Sequence, residues 1–285
     1  MTEKIIFAFI LLSSFTQAFA QRDHLDQITD SITKEGKALY GSEWASWYGT
    51  DIFVAKCPDK KPLAGGYFSY ETNDGLTNIF FSKGDDPVVI ASISFEKDFN
   101  ANNYKLDTVQ RKLTETEHDY YAIRTAALKR ALSDTTFKHF KNTGINIVPL
   151  IQHDVKKVYA MTSPQANGIV VFGNDYLINF NGKNEIASIK TLHKNIIPIY
   201  TKADSGKTVA VTMHSHLPET GDFITATDIC TLMLYEKFTT WTTHYVISKN
   251  YISIWDCKKN ELLILTMEAW KKITDDHQSR HPDKQ

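Results

Sequence analysis

Two histidines one residue apart, His214 and His216, close the alternating stretch Val209-Ala-Val-Thr-Met-His214-Ser-His216. Side chains of an extended chain alternate between faces, so Ala210, Thr212, His214 and His216 share one face and Val209, Val211 and Met213 the other. Imidazoles at i and i+2 near a strand end can both reach one metal ion, and zinc favours nitrogen donors of this kind. A catalytic zinc needs three protein ligands and an open position for water. Asp228, in the first turn of the helix expected after the loop, is the third candidate ligand. Pro218 and Gly221 let that loop fold back over the strand end. The same residues also have a purely structural reading. Thr225-Ala-Thr-Asp228 fits a helix capping box, with Thr225 as N-cap and Asp228 at the third helical position, and two histidines on a polar strand face need no metal.

Order and spacing together point further. His214-Ser215-His216, then Leu217, Pro218, six residues and Thr225-Ala-Thr-Asp228, resembles the metal motif of the JAB/MPN (JAMM) metalloproteases. In that family H-x-H is followed by Pro, six residues and S-x-x-D; one inserted leucine restores the register here, and Thr replaces Ser. The resemblance covers roughly Val158 to Asp256 and implies a zinc ion held by His214, His216 and Asp228. It also places Thr225 where the family's serine helps stabilise a tetrahedral oxyanion.

The family's general base is a glutamate followed by two spaced glycines. The matching stretch here is Gln165-Ala-Asn-Gly168-Ile-Val-Val-Phe-Gly173, so the base position, Gln165, departs from Glu. An amide cannot take a proton from a zinc-bound water, and loss of a positioned base typically removes about 10²–10⁴-fold in rate. Glu219, on the loop, and Glu185, at a turn, are the carboxylates that could replace it, and both also read as solvated surface residues. Asp222 could orient a ligand histidine. His193 reads as a structural histidine and stays outside the ligand set. Cys230 follows Asp228 by two positions, and helix geometry turns it away from the site by about 200°, which favours burial.

The elements that must position these residues follow from periodicity. A weakly helical segment runs from Asp26 to Tyr40. Strand-like stretches follow at Trp47–Ala55, Gly66–Glu71, Leu76–Ser82 and Val88–Phe95, the last three joined by Asn73-Asp74-Gly75 and Gly84-Asp85-Asp86 turns. A long helix is expected over Leu106–Leu132, from its three-to-four apolar spacing, then a short one over Thr135–Phe140. Strands are expected at Val158–Met161, Gly168–Phe172, Tyr176–Phe180, Ile186–Thr191, Ile196–Tyr200 and Thr208–His214. A helix over Ala226–Phe238 precedes strands at His244–Ser248, Tyr251–Asp256 and Leu262–Leu265, and a last helix over Met267–Ile273. The class is α+β: a small N-terminal antiparallel meander plus a long helix, then a C-terminal mixed α/β JAB/MPN-like domain. The expected divisions are 1–20 signal peptide, 21–104 β-rich region, 105–142 helical connection, 143–274 JAB/MPN-like domain and 275–285 flexible tail.

The first twenty residues read as a cleavable signal peptide: Lys4, the apolar run Ile5–Leu12 and the small-x-small site Ala18-Phe-Ala20. That run is shorter than the roughly 20 residues a bilayer span takes, so no membrane span is expected in the mature, periplasmic or secreted chain. A net charge of −1 argues against a nucleic-acid partner. Three cysteines allow at most one bridge within the chain; Cys230–Cys257 is conceivable, and a buried free Cys230 thiol is the simpler reading. Two functions are consistent with this sequence. One is an exported zinc metallopeptidase acting on amide or isopeptide bonds of a peptide or protein. The other is a catalytically inactive binding or scaffold module of the same fold.

Overall fold

The computed structural model describes residues 23–202 and 207–281. The signal-peptide reading of residues 1–20, and the last four residues of the expected tail, lie outside them. The architecture is α+β. Helix α1 (Thr2–Lys56) is followed by an antiparallel sheet of β1 (Ala64–Glu71), β2 (Gly75–Ser82), β3 (Val88–Glu96) and β4 (Tyr104–Asp107), with β5 (Arg111–Lys112) also on β3. Helix α2 (Glu115–Ser133) leads to β6 (Thr143–Gln152), β7 (Val155–Pro164), β8 (Ile169–Gly173), β9 (Tyr176–Phe180), β10 (Ile186–Thr191) and β11 (Ile196–Tyr200). These form one sheet in the order β10-β9-β7-β6 and a separate β11-β8 pair. Last come β12 (Val211–Ser215), α3 (Ala226–Tyr235), β13 (Thr243–Ile247), β14 (Tyr251–Asp256), β15 (Glu261–Thr266) and α4 (Met267–Arg280), with strand order β12-β13-β14-β15.

The meander forms from the last three expected strands, paired antiparallel through the expected turns. The segment Trp47–Ala55 does not join it: it continues α1. Its β-type residues are overruled by packing, since Trp44, Ala45 and Phe53 join the main core and the Phe53 ring stacks on Phe80 at 3.9 Å. Gly49 looks like a helix breaker but is a contact point, because a Cβ there would lie 2.4 Å from the Asn78 amide oxygen. The helix expected from Leu106 begins only at Glu115, and residues 104–112 contain strands instead. A capping box sets that start. Thr114 Oγ1 accepts from Glu117 N at 3.2 Å while the Glu117 carboxylate accepts from Thr114 N at 2.8 Å.

No helix forms over Thr135–Phe140; Phe137 is instead buried against the Tyr176 ring. The strand β6 goes unread in the sequence because Gly144 and Pro149 interrupt it. It is an edge strand, where proline is tolerated. The C-terminal helix runs to Arg280 rather than fraying after Ile273. The main core cluster joins α1 (Leu39, Trp44), the meander (Phe80, Ile90), β8 (Phe172) and the C-terminal elements (Ile229, Trp255). All three cysteines are free and buried. Among the described residues, no helix is long and apolar enough to cross a membrane.

Candidate metal centre

The site lies where β8, β12 and α3 meet. Strand β12 pairs in parallel with β13, setting Thr212 beside His244 and His214 beside Val246. Its burial alternates, with Thr212 and His214 inside and Val211, Met213 and Ser215 outside, as the period-two reading requires. The strand itself starts at Val211, later than the Thr208 expected, and its inner face turns His214 towards α3. His216 follows immediately, its backbone N–H held by the Ile247 carbonyl at 2.9 Å.

Asp228 is placed for both of the roles that looked like alternatives. It is the third residue of α3, and its Oδ2 accepts from Thr225 N at 2.9 Å and from the Thr225 hydroxyl at 2.8 Å, completing the capping box. The same Oδ2 lies 3.8 Å from His214 Nε2 and 3.7 Å from His216 Nε2. A carboxylate has enough lone pairs to cap a helix and face a metal at once.

The fourth member is His193, which the sequence reading excluded. Its Nε2 stands 3.7 Å from Asp228 Oδ2 and 2.7 Å from His216 Nε2. The turn between β10 and β11 brings it in. Leu192 N bonds to the Asp175 carbonyl and Asn174 N to the Asn195 carbonyl, at 2.9 and 3.0 Å. Gly173 makes that approach feasible: its φ is +75°, and a Cβ on it would lie 2.4 Å from Asn195 O and 3.2 Å from His193 Cβ. One ligand atom from each of His193, His214, His216 and Asp228 falls within 4.8 Å of all the others, and all four residues are buried. The group could hold a metal ion.

The supporting shell makes the arrangement specific. Asp175 Oδ1 accepts from His193 Nδ1 at 2.7 Å. Asp175 is an acceptor, so Nδ1 carries the proton and a neutral His193 turns a bare Nε2 lone pair into the cluster. Asp175 Oδ2 accepts a short bond from the Thr227 hydroxyl, tying this dyad to the first turn of α3. On the far side His214 Nδ1 meets His244 Nε2 at 2.9 Å, and His244 Nδ1 meets Thr212 Oγ1 at 2.7 Å. Run towards Thr212 as donors, these bonds leave His214 Nε2 bare as well. The Phe172 ring stacks on His244 at 5.0 Å and 15°. Asp228 Oδ1 and His216 Nδ1 are buried with no hydrogen-bond partner.

Electrostatics distinguish the four ligands. Burial opposes charge on Asp228, but the three surrounding imidazoles outweigh it and hold the carboxyl well below its usual range. Burial also opposes charge on His193, yet Asp228 and Asp175 together lift it to about 9. Burial pushes His216 down to about 4, with Asp228 resisting and the neighbouring rings assisting, and it pushes His214 down as well. His244 falls to about 3 for the same first reason. Without a metal the Asp228 carboxylate therefore faces a protonated His193 and the neutral rings of His214 and His216, and a divalent cation would take the place of that proton.

Of the other candidate residues only Thr225 touches the cluster. Gln165 is exposed before β8, its backbone N–H on the Asn142 carbonyl at 3.0 Å. The site lies past the other end of that five-residue strand, roughly 16 Å along at the usual rise per residue. Thr225 spends its hydroxyl on the Asp228 carboxylate and the Thr227 hydroxyl. Glu219 is exposed and paired with Lys194, Glu185 bonds Asn181, and Asp222 bonds Asn250; none of these reaches a ligand histidine. His193, Asp175 and His244 carry no spacing signal that ties them to His214. Only Gly173, needed for close approach, hinted that a loop must come near. No family model, curated protein or solved structure matches the chain.

Proposed function

We propose that the chain is an exported, JAB/MPN-like zinc-binding protein whose ion is structural, and that it acts as a binding or scaffold module rather than a metallopeptidase. One observation carries this reading: His193 Nε2 is as close to Asp228 Oδ2 as the His214 and His216 nitrogens are, at 3.7 against 3.8 and 3.7 Å. Four protein donors fill a tetrahedral shell, whose edges are about 3.3 Å for zinc–nitrogen bonds near 2.05 Å, and leave no position for water. Three imidazoles and one carboxylate suit zinc better than calcium or magnesium, which take oxygen ligands. The Gln165 departure, and the lack of a carboxylate at the cluster beyond Asp228 and the His193-bound Asp175 among the described residues, support the non-catalytic role. The support for JAB/MPN-like descent is the spacing of His214, His216, Thr225 and Asp228. The support for export is the sequence of residues 1–20.

Metal analysis of protein purified without chelator tests this, alongside incubation with a peptide library. About one zinc per chain and no cleavage is the expected result. Chelator-sensitive cleavage would instead favour the metallopeptidase, with His193 leaving the ion. Absence of zinc after reconstitution sinks both.

A further inference from the structure

Trp47 on α1 and Phe238, three residues past α3, present aromatic surface to solvent beside Tyr235, which packs against the main core. Trp47 and Phe238 are 39% and 60% exposed, and their rings lie nearly parallel, 5.8 Å apart at 15°. Tyr235 meets Trp47 edge-on at 6.1 Å. These rings line a cavity of about 480 Å³ together with the β7–β8 turn, with Gln165 and Asn167, and Thr201. Among the described residues, no side chain lining it carries a charge at neutral pH.

That composition is selective. Large rings left in water forgo burial worth a few kcal/mol each, and a pocket of this size with flat apolar walls and a few polar groups is the usual form of a small-ligand site. An anionic or cationic ligand would find no counter-charge here. A sugar ring would find both things it needs. The apolar C–H face of a pyranose packs on a flat aromatic ring, and its hydroxyls, each donor and acceptor, pair with amides that offer both functions on one side chain.

We propose that this cavity binds a neutral saccharide, stacked on Trp47 and Phe238 and hydrogen-bonded by Gln165 and Asn167. The site is independent of the metal reading. Gln165, which stands where the resembled family keeps its base, then serves recognition instead of chemistry.

The test is calorimetric titration of the full chain with cellohexaose, maltohexaose, chitohexaose and laminarihexaose, with decaproline as the peptide arm. Binding of at least one oligosaccharide is expected. Trp47→Ala should weaken it about tenfold or more. Asn167→Ala, on an exposed turn where folding is unaffected, should weaken it several-fold. The proposal is overturned if none of the four oligosaccharides binds, or if binding is unchanged in both variants. Decaproline binding in their place, or self-association lost in the same variants, overturns it equally, because the rings would then serve a protein contact.

Discussion

Two carboxylates drawn out of water, Asp228 and Glu43, behave in opposite ways. Asp228 is held below its usual range by three imidazoles despite its burial. Glu43, on α1, faces a narrow cavity of about 70 Å³ that it shares with Ser42, Asn146 and Arg124. Burial pushes its carboxyl up to about 7, against the Asn146 hydrogen bond at 2.9 Å and the charge of Arg124. Arg124 does little to prevent this because its guanidinium is turned over the Tyr67 and Phe81 rings, at 5.6 and 5.8 Å. Burial alone thus draws an acid towards its neutral form. Convergence of donors on one point is what keeps an acid charged and makes a site.

The comparison can be broken in four places. His216→Ala should have the largest effect, since it removes a ligand and leaves the α3 cap intact. With zinc a thousandfold above its Kd, binding stabilises the native state by about 4 kcal/mol, roughly 10 °C of melting temperature in a chain of this size. Calorimetry with and without chelator should show that difference in the native protein and not in the variant; equal curves would remove the metal from the argument.

Glu43→Gln comes next. In the unfolded chain the carboxyl ionises near 4.5, in the folded one near 7, so native stability is full below pH 4.5 and falls as the pH rises through that window. The variant keeps an amide for Asn146 and lacks the ionisation. It should be more stable than the native chain at pH 8 by roughly 2–3 kcal/mol and equal at pH 4. A denaturant series at both values decides, and a gain that is the same at both would show that Glu43 is not the titrating group.

Asp175→Asn probes the shell around the ligands. An amide can accept from His193 but brings no charge, and zinc affinity measured against a competing chelator should fall about 10- to 100-fold. An unchanged affinity would make the Asp175–His193 contact incidental. Gln165→Glu should have the smallest effect. Restoring a carboxylate about a strand's length from the ligands should change neither zinc content nor peptide cleavage, and any gain of cleavage would bring Gln165 back to the site.

The legible parts of this chain are those in which local pattern and tertiary demand agree. Strand β14 has the bounds Tyr251–Asp256 read from the sequence, and the shared inner face of Thr212 and His214 follows from period two alone. Asp228 was legible twice, as cap and as candidate ligand; it caps α3, and the same carboxylate faces His193, His214 and His216. The stretch from Trp47 to Ala55 was misread because its Trp, Tyr, Ile, Phe and Val favour strands, while helical state there is imposed by packing of Trp44, Ala45 and Phe53 into the core. His193 was unreadable for another reason. It enters from a loop between two other strands, and only β8 pairing with β11, with Gly173 at the crossing, brings it to the cluster.

Because the Asp228 Oδ2 that caps α3 is also the atom that faces the three histidines, the candidate cage and the helix start share a single mechanical joint. Removing that carboxylate should therefore cost more than an empty cage. Asp228→Ala should loosen the first turn of α3 as well as abolish zinc binding, whereas His216→Ala should abolish zinc binding alone.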